Sequence, residues 1–243
     1  MNILYNFLFI ALPYVAITVF LIGTVYRYRG TKFKFSSLSS EFLEGKKLFF
    51  GSVPFHYGII FLFFGHLVAF LLPREVLLWN DQPVRLLILE VSAFIFGISA
   101  FVGMFLLIIR RKTHPRIQMV STKMDLIIEI LILSQIFLGL WIAYGYRWGS
   151  SWFAAVLSPY LMSIFTLDPQ ITAVTNLPLV IQLHIAIAFL IVLLIPFSRL
   201  VHLLVPPLSY LWRPYQKVIW YWNRKKFATL VQSGQLLNQR IIN

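Results

Sequence analysis

The chain has 243 residues, 59% of them hydrophobic and 17% aromatic, with no cysteine and a formal charge of +13. A mean hydropathy of +0.81 exceeds what a soluble domain requires and predicts an integral membrane protein. The lack of cysteine excludes disulfides, cysteine-held iron–sulfur clusters and thioether-linked haem in this sequence, so any redox centre here rests on histidine.

Five stretches are apolar and long enough to cross ~30 Å of hydrocarbon at ~1.5 Å per residue: 4–26, 49–72, 84–109, 125–146 and 179–205. The expected fold class is an all-α integral membrane bundle of five transmembrane helices, forming a single membrane domain with a tail from about 206 to 243. The first stretch lacks a basic leader and is followed by YRYRG, a stop-transfer flank, so it reads as a retained span.

The basic residues divide unevenly between the two sides. Arg27, Arg29, Lys32, Lys34, Lys46 and Lys47 lie between spans one and two; Arg110, Arg111, Lys112, Arg116 and Lys123 lie between spans three and four. Arg199, Arg213, Lys217, Arg224, Lys225, Lys226 and Arg240 follow at the end of span five and beyond. Only Arg74, Arg85 and Arg147 fall on the opposite side, which predicts an amino terminus outside and a carboxyl terminus in the cytoplasm. The charge excess is thus a topology signal, with the lipid bilayer as partner and no nucleic acid expected.

The first loop carries SSLSSEFLEGKK, where Ser40, Leu43 and Glu44 fit the capped start of a short amphipathic helix. Segment 147–178 contains the apolar run SWFAAVLSPYLMSIFTL. Pro159 interrupts that run, and a sixth crossing would put the basic tail outside, so the run reads as an interfacial helix on the outer face anchored by Trp148 and Trp152. The tail mixes aromatic and basic residues, as an anionic-lipid anchor or a docking site for a cytoplasmic partner would.

The most informative residues are four histidines inside apolar spans: His56 and His66 in span two, His184 and His202 in span five. Imidazole in hydrocarbon is costly unless paired or coordinated. His56 and His66 are ~15 Å apart along a helix and ~80° apart around it, so both can face one bundle interior. On a continuous helix His184 and His202 would share one stripe ~27 Å apart. Spans two and five run in opposite directions, which pairs His56 with His202 near the cytoplasmic side and His66 with His184 nearer the outside. Two bis-histidine b haems need this count and order. The two spacings differ by ~12 Å, which tilt and ring reach have to absorb.

Gly58 and Gly65 flank the span-two histidines, where small residues let a macrocycle approach the backbone. Arg199, three residues before His202, is placed to pair with a haem propionate. His114 sits in a basic loop before a proline and reads as solvated. Asp125 and Glu129 open span four, where carboxylates suit the helix dipole and can pair with Lys123, Arg110 or Arg111. Glu90, one turn into span three, has no ready explanation.

GTVYRYRG, SSEFLE, FHYGIIFLFFGH and LHIAIAFLIVLLIPFSRLVHLLVPP together closely resemble the gamma subunit, a membrane cytochrome b, of respiratory nitrate reductase. The resemblance covers most of the chain and is strongest in spans one, two and five. It implies an anchor with two haem b groups, held by His56 and His202 near the cytoplasm and by His66 and His184 near the outer face. It implies quinol oxidation beside the outer haem, with Gly65, His66 and Arg85 as candidate residues; Arg85 reads equally well as a snorkelling interfacial arginine. The implied partners are an iron–sulfur beta subunit and a molybdenum-containing alpha subunit that reduces nitrate, at the cell inner membrane.

Three other readings compete with this one, the plainest being a structural anchor without cofactor, for which four inward histidines would be an unexplained cost. Related cytochrome b anchors of sulfite-reduction or heterodisulfide-reductase modules share the haems and differ in partner. A histidine-lined divalent-metal transporter would need intramembrane carboxylates beside the histidines, and no Asp or Glu lies within a turn of any of the four in the sequence.

Overall fold

In the computed structural model, residues 3–31 and 46–204 are described; they belong to one compact unit. The capped helix expected after Ser40 and the tail from 206 lie outside these residues. Among the described residues, five helices are long and apolar enough to cross a membrane: Ile3–Gly30, Leu48–Leu71, Pro83–Thr113, Lys123–Gly145 and Leu179–Phe197. They are called spans one to five.

Each span is apolar almost all round, as helices facing lipid on one side and protein on the other are expected to be. Span two packs on span three, three on four, four on five, and five on one. Span two, with His56 and His66, and span five, with His184 and followed by His202, are not among these close-packed pairs.

Where helices approach closest, glycine makes it possible. A Cβ on Gly58 would lie 2.5 Å from the Phe96 carbonyl, and one on Gly103 would lie 2.5 Å from the Phe55 nitrogen. In lipid, where apolar burial gives no net drive, such backbone proximity is the main source of helix association. Gly58 therefore serves the contact between spans two and three, not the approach of a macrocycle as its position beside His56 had suggested. Beside Gly65, by contrast, no atom lies within 4 Å of the added Cβ.

Prolines shape the remaining architecture. Pro13 lacks the N–H that would meet the Phe9 carbonyl one turn earlier. A π-helical turn at Phe7–Ala11 precedes it, and the Tyr160 hydroxyl donates to the Phe9 carbonyl at 2.9 Å. Segment 149–165 repeats the device. A π-turn at Phe153–Leu157 leads into Ser158–Phe165, with Pro159 in the first turn, so the proline is accommodated within the helix.

That helix is more than an interfacial anchor. Its buried residues Leu157, Tyr160 and Ile164 join Phe9, Ile142 and Ile181 in one core cluster. Ser158 donates to the Ala69 carbonyl of span two at 2.9 Å, and Tyr14 of span one donates to the Ile164 carbonyl at 3.1 Å. Trp148, expected as an anchor, opens the helix in a left-handed conformation with φ 66°; Trp152 donates through Nε1 to the Tyr146 carbonyl at 3.3 Å.

The largest departure from the sequence reading is in span five. It was expected to run unbroken to 205, but its α-helix ends at Leu194. A 3-10 turn at Ile195–Phe197 contains Pro196; Ser198 is extended (φ −116°, ψ 179°), and a second 3-10 turn covers Arg199–Leu203. The physical reason is Pro196, which has no N–H to continue the ladder and restricts the residue before it. His184 and His202 therefore do not share a helical stripe, and the ~27 Å separation assumed for a continuous helix does not apply.

Freed carbonyls inside a membrane need donors. Arg27 of span one supplies them: its Nη1 donates to the Pro196 carbonyl at 2.6 Å and to the Ser198 carbonyl at 2.9 Å. Gly23, one turn earlier on span one, makes room, since a Cβ there would lie 3.0 Å from the Pro196 ring.

Candidate functional site

The break in span five turns His202 toward span two. The His56 and His202 imidazoles lie with ring centres 6.1 Å apart and planes at 62°. Their Nδ1 atoms are both committed. His56 Nδ1 lies 2.8 Å from the Ser52 carbonyl and 3.0 Å from the Ser52 hydroxyl; His202 Nδ1 lies 2.8 Å from the Arg199 carbonyl. A carbonyl oxygen only accepts, so each Nδ1 donates, and in the neutral ring Nε2 keeps its lone pair.

This is the tautomer that a metal-bound imidazole adopts when its other nitrogen donates to the protein. The spacing fits as well. With imidazole nitrogen–metal bonds of about 2 Å, two rings on opposite sides of one ion have centres about 6 Å apart. Rotation about that axis is free, so an angle of 62° between the rings is compatible with the fit.

His66 is prepared in the same way, its Nδ1 lying 2.7 Å from the Leu62 carbonyl. Its ring is exposed and meets Phe153 edge-on at 5.2 Å. Phe153 belongs to the 149–165 helix, so this helix borders one of the two predicted haem levels.

His184 differs from the other three. Its Nε2 accepts from the Gln135 side-chain amide at 3.1 Å, and a Cβ on Gly139 would lie 3.3 Å from its Cε1. The ring edge thus rests against span four. His184 Nδ1 and Gln135 Oε1 are both buried with no hydrogen-bond partner. No ring contact joins His66 and His184 as one joins His56 and His202. The structure therefore brings one predicted pair together and leaves the other at longer range. Gln135, Gly139 and Phe153 were missed in the sequence; their spacing along their own helices gives no sign of a histidine neighbour.

The other candidates have found partners. Arg199, expected at a propionate, reaches Asp125 Oδ1 through Nε at 3.0 Å and the Val120 carbonyl through Nη2 at 2.7 Å. Asp125 also closes a capping box with Thr122. Arg111 contacts Glu129 at 2.7 Å and Asp125 at 3.4 Å, so the carboxylates at the start of span four form the expected ion pairs, with Arg199 as an added partner.

At the other end of the bundle, Arg85 is exposed and stacks over the Trp79 ring at 5.1 Å. Glu90 accepts from the Ser150 backbone N–H at 2.9 Å and from the Ser150 hydroxyl at 2.7 Å, tying span three to the start of the 149–165 helix. Asn80 donates to Ser150 and Ser151, each at 3.0 Å. His114, expected to be solvated, is half-buried at the end of span three, with Nδ1 3.2 Å from the Arg110 carbonyl.

Among the described residues no three His, Asp or Glu side chains converge on one point. One pair, His56 and His202, is brought together, the ligand number that one bis-histidine haem requires.

Comparison with known proteins places this geometry. The nitrate reductase gamma subunit family model matches residues 5–221. The chain is 30% identical over 212 residues to the nitrate reductase gamma chain of Bacillus subtilis (strain 168), covering 84% of this chain and 93% of that one. It is 33% identical over 209 residues to the respiratory nitrate reductase 2 gamma chain of Escherichia coli (strain K12), covering 85% and 92%. It is also 30% identical over 221 residues to the nitrate reductase-like protein NarX of Mycobacterium tuberculosis (strain CDC 1551 / Oshkosh), spanning 84% of this chain and 32% of that longer protein. A family match across nearly all the described helices, together with relatives covered almost end to end, means that this chain belongs to the nitrate reductase gamma subunit family.

Proposed function

We propose that this chain is the diheme cytochrome b anchor that oxidises quinol near the outer face of the inner membrane. It hands the electrons to an iron–sulfur beta subunit, which supplies a molybdenum-containing alpha subunit that reduces nitrate. The observation that carries the reading is the His56–His202 pair, with rings 6.1 Å apart and both Nδ1 atoms tied to backbone carbonyls.

His56 and His202 hold one haem on the cytoplasmic side; His66 and His184 hold the other nearer the outside. When bound, haem supplies one-electron transfer along the bundle between the quinol side and the partner subunits. The chain's part is to fix the ligand tautomers, keep the ring environment apolar and satisfy the backbone around the break in span five.

The quinol site lies beside His66, where Gly65 leaves the helix surface open and Arg85 stands at the head of span three. The orientation, amino terminus outside, rests on the placement of the basic residues. Quinol protons are then released outside while nitrate reduction consumes protons inside, which needs no proton channel through this chain.

The test is a reduced-minus-oxidised spectrum of the purified chain with a haem-to-protein ratio. About two b-type haems per chain are expected. His66→Ala is expected to leave one and to stop quinol-driven nitrate reduction by the assembled complex. A ratio of zero in the unsubstituted chain overturns the reading.

A further inference from the structure

His202 is presented by a segment that is not α-helical, so something other than a helix ladder must hold its ring. That support converges on one residue. The Arg199 carbonyl accepts from His202 Nδ1 at 2.8 Å, while the Arg199 guanidinium reaches Asp125 Oδ1 at 3.0 Å and the Val120 carbonyl at 2.7 Å. A single residue thus provides both the acceptor that sets the imidazole tautomer and the link from this turn to span four.

Asp125 is itself immobilised. Its Oδ2 accepts from the Thr122 backbone N–H at 2.9 Å and from Arg111 Nη1 at 3.4 Å. Arg111 is in turn fixed on Glu129 Oε1 and on the Ser121 hydroxyl, each at 2.7 Å. The Asp125 side chain is only 5% exposed. A buried ion pair is weak evidence of stability, because desolvation offsets much of the attraction. Its clearest use is to select one geometry among several. Here the geometry selected is that of the five-residue 3-10 turn Arg199–Leu203, whose hydrogen-bond geometry is poorer than an α-helix's.

We propose that Asp125 is a positioning residue for haem ligation: through Arg199 it fixes the tautomer and direction of His202, and so controls binding at the His56–His202 level alone. The proposal rests on the haem reading above and adds a residue on a different span, touching neither ligand. Asp125→Asn keeps the shape of the side chain and removes its charge, which weakens the hold on the Arg199 guanidinium. The carbonyl that orients His202 is then held less firmly against span four.

The experiment isolates the two levels in the full-length purified chain. In a His66→Ala background only the His56–His202 level remains; in a His56→Ala background only the His66–His184 level remains. Adding Asp125→Asn is expected to take haem per chain from about one to near zero in the first background and to leave about one in the second. Retained haem in the first, or equal loss in both, overturns the proposal.

A second measurement needs no haem. The sequence has no cysteine, so spin labels on Tyr57→Cys and Leu203→Cys report a single distance beside the two ligands. A narrow distribution that broadens with Asp125→Asn and with Arg199→Met supports the positioning role. An unchanged distribution overturns it, even if the unsubstituted chain were found to bind no haem.

Discussion

Phe153 stands edge-on to His66 with ring centres 5.2 Å apart, so a helix outside the five spans forms one wall of a predicted ligand's environment. Three residues before Phe153, Ser150 is bound twice by Glu90 of span three. The start of this helix is therefore held by a carboxylate that the sequence left unexplained.

Glu90→Leu removes the acceptor for both Ser150 groups. Hydrogen bonds to a charged group are worth about 1.5–3 kcal/mol when well shielded, and this partly exposed site warrants the lower end. Backbone amides at 149–153 are expected to exchange faster by about tenfold, with little change in spans two to four. Unchanged exchange there would show that Glu90 does not hold the helix.

Tyr160→Phe leaves the Phe9 carbonyl without its hydroxyl donor. Side-chain hydrogen bonds in membrane proteins average about 0.6 kcal/mol and reach about 1.7; with Tyr160 only 1% exposed, a loss near the upper end is expected in reversible unfolding. A variant as stable as the parent would mean that the carbonyl finds another donor.

The same residue sets an alkaline limit. Burial first, and proximity to Tyr14 second, raise the Tyr160 phenol above its ordinary value near 10. Folding thus favours the protonated form, and this contribution is fully present below pH ~10 and lost as pH rises above it. The pH–stability curve of the parent should fall faster above pH 10 than that of Tyr160→Phe. Parallel curves would exclude Tyr160 as the cause.

Two glycines on span two should respond oppositely to alanine. At Gly58 the added methyl meets the Phe96 carbonyl at 2.5 Å and the Ala100 nitrogen at 2.7 Å, so spans two and three must separate. Overpacking of this kind costs about 1–3 kcal/mol. At Gly65 nothing lies within 4 Å, so Gly65→Ala should be neutral in thermal unfolding and, as a proposed quinol-site residue, should raise KM for quinol. Equal destabilisation by both substitutions would contradict the packing described between spans two and three.

Gln135→Leu removes the amide donor that occupies the His184 Nε2 lone pair, the lone pair an iron at the proposed His66–His184 level would need. Under the proposed ligation, haem affinity and potential at that level should shift while the other level stays fixed. A shift in both, or in neither, would count against a role for Gln135 in orienting His184.

Much of this protein was written in its composition and order. Apolar stretches of membrane length had only one stable form available, because backbone groups in lipid must bond within their own helix, and the five spans follow from that. The four histidines were legible for a related reason: imidazole in hydrocarbon is costly and so carries meaning. The ion pairing of Asp125 and Glu129 also followed from charge and helix position.

What the sequence left open was decided by contacts between residues distant along the chain. Pro196 was visible as a helix breaker, yet only packing against Gly23 and Arg27 shows that the break is satisfied and directs His202 toward His56. Pro159 looked like an interruption, while π-turn geometry and the Tyr160–Phe9 bond make it part of a core helix. Helical periodicity fixes which residues share a face of one rod. It says nothing about what a neighbouring rod brings to that face, so the partners of His184, His66 and Arg199 emerged only from the tertiary structure.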